Sequence, residues 1–325
     1  MYFLECIEDD SQIDTFSNIV YTSRMSKYRL LDCGNQKKLE ILGNFKVVRP
    51  CPQAIWDVTS PQLWEGISCE FFNQAGEKGI WLNLDQKSKY NVASTKEEDE
   101  KLIANNKQNS KPVLPKTWNM ESNDGISWKI EPNEYGNIGV FTEHWLYGPD
   151  LAKVLPPKSK ILNLFTYSGS SCVSLAKNDF QITAVDSSKA AMDRYVENLT
   201  LNDVNRDGQR LILEDAYKFV ARENRRGVFY DCVMVDAPSY GRGTKGEVFK
   251  IEENLVRLVK TCKSVLAPKG YMVVTLHSPR FTCAILDILM AQLMSDYDVK
   301  TTEILQKCES GVSLPSGFLV MVSPK

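Results

Sequence analysis

The second half of the sequence alternates short apolar segments with amphipathic ones, and this alternation constrains the fold most. Five apolar segments have strand length: Lys160–Phe165, Gln181–Asp186, Leu211–Glu214, Tyr230–Asp236 and Gly270–Leu276. Helices are predicted between them at about 170–178, 188–201, 215–224, 250–266 and 281–294, and further strands at Val299–Leu305 and Gly317–Val322. Continuous apolar strands separated by amphipathic helices predict an α/β fold, in which helices cover both faces of a parallel sheet.

Residues before about 110 carry a β-rich pattern instead. Short apolar runs at Tyr28–Asp32, Lys38–Leu42 and Phe45–Val48 are separated by Gly-Asn pairs that favour turns. The polar stretch 84–112 is predicted to be a surface connection or long loop, and a hairpin is predicted at 118–130 around Asn123-Asp124-Gly125. We therefore predict a small β-rich N-terminal domain with its linker at 1–112, and an α/β domain with a leading hairpin at 113–325.

Composition narrows the class of protein. The 325 residues carry a formal net charge of −2, which argues against a strongly cationic, non-specific nucleic-acid binder. The nine cysteines form no CxxC pair and there are two histidines, so we expect reduced thiols, no structural zinc and no metal centre. An acidic N-terminus without a signal-peptide pattern, and no apolar run long enough to span a bilayer, predict a soluble cytoplasmic protein.

In open α/β sheets, ligands bind beyond the carboxyl ends of the strands, so the residues at those ends are the candidates for a site. The first strand is followed by Phe165, Tyr167, Ser168 and Gly169, where small residues let backbone N–H groups approach a ligand. The same segment could be a simple strand-to-helix turn. The sequence lacks both GxGxxG and GxxxxGK[ST], which disfavours nicotinamide and nucleoside triphosphate binding.

Acidic residues end the second and third strands. Asp186, 17 residues after Gly169 and followed by Ser187, is placed to accept both hydroxyls of a ribose, or merely to cap the next helix. Asp215 could accept the exocyclic amine of an adenine, or cap its own helix.

A stiff turn, Asp236-Ala237-Pro238-Ser239-Tyr240, ends the fourth strand. Asp236 can accept a hydrogen bond from a base N–H and Tyr240 can stack on a flat ring, unless this is only a structural turn. Arg242 and Lys245 follow in a glycine-rich loop that could contact phosphate or be merely solvated.

His277 and Arg280 follow the fifth strand and complete the candidate substrate contacts. The other histidine is His144, in the segment 139–144. A histidine at a strand end can be structural or catalytic.

These segments together resemble a group of bacterial class I methyltransferases that act on 23S ribosomal RNA. The group carries NLFxYTG, DxSxxAxxxAxxN, DPPSFGRGxKGExW and LNS motifs. The first motif matches Asn163–Gly169, and the second matches Asp186-Ser187-Ser188 together with Glu197-Asn198. The third matches Asp236–Gly243 with Lys245-Gly246-Glu247, and the fourth matches Leu276-His277-Ser278. The stretch from Leu30 through Trp56 also resembles the leading domain of this group. This sequence departs from the motifs of the group at three positions. It has Ala237 where the group has Pro, Tyr240 where the group has Phe, and His277 where the group has Asn.

The resemblance implies a Rossmann-like sheet of seven strands, the last antiparallel, that binds S-adenosyl-L-methionine. It places the cofactor on the loop at 165–169, with Asp186 on the ribose, Asp215 near the adenine and Glu143 beside the cofactor. It assigns Asp236, Pro238 and Tyr240 to the methyl acceptor, with Asp236 also in reach of the cofactor, and it makes ribosomal RNA the expected partner.

The reaction type follows from the cysteines. Methylation at cytosine C5 needs a thiolate that adds to the base, and the ends of the fourth and fifth strands carry none, since Cys232 falls within a strand and Cys283 in a helix. Transfer to a ring or exocyclic nitrogen needs mainly positioning. We therefore predict direct transfer to a nucleophilic atom of an RNA base, with the atom left open and cytosine C5 disfavoured. The alternatives are a methyltransferase of a small molecule or protein, and a non-catalytic module that binds a nucleoside or RNA.

Overall fold

The computed structural model describes residues 20–22, 28–72, 78–84, 90–94, 96–106, 114–122, 124–145, 147–242 and 248–325. Lys245 therefore lies outside the described residues, and of Arg242 only the backbone is described.

These described residues form seventeen strands and seven α-helices, labelled in chain order. The strands are β1 (Val20–Thr22), β2 (Tyr28–Gly34), β3 (Lys37–Leu42), β4 (Phe45–Pro50), β5 (Cys69–Phe72), β6 (Ile80–Asn83), β7 (Trp118–Glu121), β8 (Ser127–Ile130), β9 (Lys160–Leu164), β10 (Gln181–Asp186), β11 (Arg210–Leu213), β12 (Tyr230–Asp236), β13 (Tyr240–Arg242), β14 (Val248–Lys250), β15 (Leu266–Leu276), β16 (Tyr297–Lys307) and β17 (Ser313–Pro324). The helices are α1 (Lys96–Asn106), α2 (Tyr147–Val154), α3 (Val173–Lys177), α4 (Lys189–Leu201), α5 (Ala216–Arg225), α6 (Ile251–Lys263) and α7 (Cys283–Leu293).

The N-terminal strands form a five-stranded sheet in the order β2-β3-β4-β5-β6. The pairs β2–β3, β3–β4 and β5–β6 are antiparallel, and β4–β5 is parallel. The three strands predicted here are present, and β5 and β6 were not predicted.

The segment predicted as a loop contains a helix, which corrects that expectation. Three acidic residues, Glu97, Glu98 and Asp99, occupy the first turn of α1, where they oppose the positive end of the helix dipole. Its Leu102 lines a cavity with Ile67, which lies two residues before β5. The polar composition of α1 thus reflects a solvated helix and not an irregular connection.

The predicted hairpin is present as β7–β8, with Asn123 of its turn outside the described residues, and two asparagines of α4 and its C-cap hold it. Asn198 Oδ1 accepts from the Lys129 N–H at 3.0 Å, and Asn202 Oδ1 accepts from the Ser127 N–H at 2.8 Å. Because these asparagines are four residues apart, they lie on one side of the helix and its C-cap, and they bind two alternate backbone N–H groups of β8.

The large sheet has the order β11-β10-β9-β12-β15-β17-β16-β1. Strands β9, β10, β11, β12 and β15 pair in parallel, and β17 is antiparallel to both of its neighbours. The seven predicted strands are therefore present with an antiparallel last strand. The short strand β1 extends the edge by pairing in parallel with β16, which was not predicted.

Both faces of the parallel strands are buried, as their continuous apolar sequences predict. Ile161 and Met234 pack in one hydrophobic cluster, while their neighbours Leu162 and Val235 pack in a second on the opposite face. Polar residues are therefore concentrated at the strand ends. Among the described residues, no helix is long and apolar enough to cross a membrane.

Candidate active site

The loop after β9 has an unusual backbone conformation. Phe165, Tyr167 and Gly169 have φ of 59°, 51° and 80°, and non-glycine residues adopt such values at a cost of order 1–3 kcal/mol each. A Cβ on Gly169 would lie 2.3 Å from a ring carbon of Tyr195, so only glycine fits there. The strain is held by surrounding hydrogen bonds, among them one from Asn198 Nδ2 to the Ser168 carbonyl at 2.8 Å.

Asp186, at the end of β10, organises this loop. Its Oδ2 accepts from the Tyr167 N–H at 2.9 Å, and its Oδ1 accepts from the Ser188 N–H at 2.8 Å. Ser188, and not Asp186, caps α4 through a bond from the Ala191 N–H. Ser187 lies exposed between them. Each carboxylate oxygen keeps acceptor capacity that can face a ligand.

Asp215 caps α5, since its Oδ1 accepts from the Lys218 N–H at 2.9 Å. The helix-cap interpretation is therefore correct for one oxygen of this exposed carboxylate. Next to it, at the end of β11, the Leu213 side chain is 56% exposed and offers an apolar surface at the same edge of the sheet.

Asp236, at the end of β12, lies between the two histidines. Its Oδ2 is 3.4 Å from His144 Nδ1 and its Oδ1 is 3.4 Å from His277 Nε2. The Thr275 hydroxyl also donates to Oδ1. The two histidines meet each other, with 3.2 Å between their Nε2 atoms, and His277 Nδ1 is 3.0 Å from the Ser316 carbonyl oxygen.

These contacts shift the titration of all three groups. Burial lowers the pKa of His144, against the opposing effect of Asp236. Burial also lowers the pKa of His277, but hydrogen bonding and attraction to Asp236 outweigh it and raise that pKa to about 9. Burial raises the pKa of Asp236, but the charges of His144 and His277 outweigh it and lower that pKa. The carboxylate is therefore ionised at neutral pH.

A short 3₁₀ turn, Thr142–Trp145, brings Glu143 and His144 to this edge. It is tied to the loop after β9 because the Phe141 N–H donates to the Ser170 hydroxyl at 3.1 Å and the Phe141 and Tyr167 ring centroids are 5.4 Å apart. Glu143 also lines a cavity of about 230 Å³ between this turn and the small sheet, which contributes Lys38 and Arg49.

The remaining predicted residues flank this centre. Pro238 precedes the ribbon β13–β14, and Tyr240 at the start of that ribbon is 53% exposed. The ring centroids of Phe249, in this ribbon, and Phe165 are 6.0 Å apart, so the ribbon packs against the loop after β9. Arg280 is exposed, two residues after Ser278 at the end of β15.

Sequence reasoning did not assign His144, Thr275 or Ser316 to the site. Only His144 left a signal, since it is the second of two histidines. Its partner His277 is 133 residues away, so nothing local in the sequence indicates that their rings meet.

Comparison with known proteins agrees with this architecture. Residues 105–297 match the S-adenosylmethionine-dependent methyltransferase family, and the chain belongs to that family. A crystal structure of the SAM-dependent methyltransferase from Agrobacterium tumefaciens is similar over 95% of both chains, with a TM-score of 0.79 and 27% identity.

Two curated relatives are named as methyltransferases of ribosomal RNA. The chain is 22% identical over 159 residues to YwbD of Bacillus subtilis, provisionally named as a ribosomal RNA large subunit methyltransferase. It is 26% identical over 163 residues to the ribosomal RNA large subunit methyltransferase K/L of Shewanella sp. strain ANA-3. The matches cover 49% and 48% of this chain but only 40% and 22% of these relatives.

S-Adenosyl-L-methionine is therefore the cofactor, and the residues present fit it. The spare acceptor sites of Asp186 suit ribose hydroxyls. Exposed Leu213 offers an apolar surface for the adenine. The ionised Asp236 suits the positive charge of a sulfonium.

Proposed function

We propose that this methyltransferase transfers a methyl group directly to a nitrogen of a base in ribosomal RNA. The names of the two curated relatives support RNA as the substrate class. One observation carries the choice of a base: Asp236, an ionised carboxylate with 18% of its side chain exposed, ends β12, and the exposed Tyr240 follows it by four residues.

In this proposal the chain positions cofactor and acceptor against each other. The loop at 165–169 and Asp186 hold the cofactor, with Ser187 and Asp215 near its adenosine and Glu143 beside it. When bound, S-adenosyl-L-methionine supplies an electrophilic methyl group. Asp236 accepts the N–H of the base and orients the nitrogen lone pair, Pro238 stiffens the turn, and Tyr240 stacks on the ring. Arg242, Lys245, His277 and Arg280 are the proposed further contacts to RNA.

The positions of the thiols support transfer without a covalent adduct. At the ends of β12 and β15, the described residues present no cysteine to a ligand. Cys232 is fully buried within β12, and burial raises the pKa of its thiol. Formation of a reactive thiolate at this edge is thus disfavoured.

The test follows a labelled methyl group from S-adenosyl-L-methionine into naked ribosomal RNA, ribosomal particles, protein and a metabolite extract. We expect label in RNA, and we expect Asp236→Ala to reduce the rate roughly 10²–10⁴-fold. Asp296→Asn is the matched control, because that side chain is exposed just before β16, whose start lies at the opposite end of the sheet from the site. Full RNA methylation by Asp236→Ala would contradict the assignment, and label in protein or metabolites alone would replace RNA as the substrate.

We also propose that the chain acts in the cytoplasm, where ribosomal RNA would be met, and that its domains divide at about residue 112. The end of α1 at Asn106 and the start of β7 at Trp118 support that division.

A further inference from the structure

We propose that His144, His277 and Glu143 form a binding site for a divalent transition metal, with Zn²⁺ as the ion that best fits their geometry. The proposal concerns the site itself and does not depend on RNA being the substrate. It departs from the sequence expectation of no metal centre, which rested on the missing CxxC pairs.

The neighbours of each histidine fix which ring nitrogen carries its hydrogen. The Ser316 carbonyl can only accept, so His277 Nδ1, at 3.0 Å, carries the hydrogen. The ionised Asp236 likewise orients His144 so that its Nδ1, 3.4 Å from Oδ2, carries the hydrogen. His277 Nε2 also lies 3.4 Å from Asp236 Oδ1 and carries a proton at neutral pH, so a metal ion would bind there by displacing that proton. Once it is displaced, the lone pairs of both rings lie on Nε2.

These two Nε2 atoms are 3.2 Å apart. Two facing lone pairs at this distance repel each other unless a cation lies between them, and that cation is a shared proton or a metal. Nitrogen ligands about 2.0–2.1 Å from a tetrahedral zinc are about 3.3 Å from each other. The observed separation therefore equals the edge of a zinc tetrahedron within about 0.1 Å.

A third ligand is available in the adjacent residue. Glu143 has a carboxylate oxygen that lies, with one nitrogen of each histidine, in a group whose atoms are all within 4.8 Å of one another. Two histidines and a carboxylate form the ligand set of a catalytic zinc site, in which the fourth position stays open. An oxygen or nitrogen of the methyl acceptor is the chemical class of ligand for that position.

The outer contacts match those of a metal site. Histidine ligands usually turn their second ring nitrogen toward a carboxylate or a backbone carbonyl. Here His144 Nδ1 lies 3.4 Å from Asp236 Oδ2, and His277 Nδ1 lies 3.0 Å from the Ser316 carbonyl oxygen. His277 is also held from the side, since a Cβ on Gly317 would lie 2.8 Å from its Nδ1. His144 is buried and His277 keeps 28% of its side chain exposed, so the pair is both fixed and reachable.

The experiment uses the full chain, stripped with a chelator and without S-adenosyl-L-methionine or RNA. Zn²⁺ is titrated by calorimetry, and Co²⁺ by its visible absorption, which reports tetrahedral geometry and distinguishes nitrogen and oxygen ligands from thiolates. We expect one equivalent of metal per chain.

Three variants test the ligand assignment. His277→Asn should weaken Zn²⁺ binding by more than roughly 100-fold, because loss of an outer partner alone costs roughly 10–100-fold. Glu143→Gln should weaken binding and alter the Co²⁺ spectrum. Cys283→Ser, which removes a partly exposed thiol on α7, should leave both unchanged. Circular dichroism and urea unfolding establish that each variant is folded.

Absence of stoichiometric binding by the folded wild-type chain would overturn the proposal and leave a shared proton between the rings. Binding that persists in His277→Asn, or a thiolate spectrum with Co²⁺, would also overturn it. RNA methylation measured separately, with and without chelator, keeps a failure of the metal site distinct from a failure of the RNA proposal.

Discussion

At the residue scale, the site depends on a few positions where the chain adopts a conformation that its sequence does not favour. Phe165 and Tyr167 have positive φ without being glycine, and Asp186 accepts a hydrogen bond from the backbone between them. Such strain persists because surrounding contacts fix it, and it is typical of ligand-binding loops. At Gly169 no other residue fits, because the position combines a positive φ with no room for a Cβ.

We expect Gly169→Ala to destabilise the protein by about 2–5 kcal/mol, which combines an unfavourable φ with a clash against Tyr195. S-Adenosyl-L-methionine affinity should fall with it. Urea unfolding and calorimetry measure the two effects. Gly227→Ala is the control, because its φ is 67° but no atom lies within 4 Å of the added Cβ. Equal losses in both variants would contradict the role of the Tyr195 contact.

At the element scale, α4 connects the leading hairpin to the cofactor loop. Asn198 donates to the Ser168 carbonyl in the loop after β9 and accepts from the Lys129 N–H in β8. One buried side-chain amide therefore bonds to both the hairpin and the loop. This explains why a polar residue faces inward on a helix whose other buried side chains are mainly apolar.

Asn198→Ala should therefore cost about 2–4 kcal/mol, since two buried backbone groups lose their partner. It should also weaken S-adenosyl-L-methionine binding, although Asn198 is not assigned to the cofactor. Thermal unfolding and calorimetry test this against Thr200→Ala. The Thr200 side chain is exposed and bonds only within its own helix. Unchanged cofactor affinity in Asn198→Ala would mean that the loop keeps its shape without the amide.

Elements were predictable from sequence to very different degrees. Strands β10 and β12 have the predicted bounds, because their apolar runs are continuous and end in an acidic residue. The helix α1 was missed because its stability comes from a charged first turn and one contact face. The strand β1 was missed because three residues give no periodicity, and its partner β16 is nearly 300 residues away. Asp186 and Asp236 were predicted as site residues from their positions at strand ends, whereas the contact between His144 and His277 depends on the tertiary fold.

At the scale of the whole molecule, a buried polar network joins the small sheet to the methyltransferase domain. Glu40 is fully buried and accepts from Arg49 and from the Tyr28 hydroxyl, while Arg49 also donates to the Gly136 carbonyl and Thr142 donates to Tyr28. Burial raises the pKa of Glu40, but Arg49 and Lys38 outweigh it and lower that pKa to about 2.

This depressed pKa predicts how acid affects the molecule. The ionised Glu40 should contribute about 3 kcal/mol above its ordinary pKa, and that contribution should be lost as the pH falls toward about 2. Urea unfolding of the wild type and Glu40→Gln from neutral to acidic pH measures it. The variant should be less stable near neutrality, and the difference should shrink as the pH falls. A difference independent of pH would contradict an ionised Glu40 in the folded state.

The small sheet is also joined to the turn between β16 and β17. The N–H groups of Glu309 and Ser310 donate to the carbonyls of Leu30 and Leu31, and Arg29 pairs with Glu309 across 280 residues of sequence. Contacts of such long range close late and slow folding. On the ribosome, strand β2 is synthesised about 280 residues before Glu309, so these bonds can form only after that length of chain has been added. As an edge strand, β2 therefore needs protection from misassembly while translation proceeds.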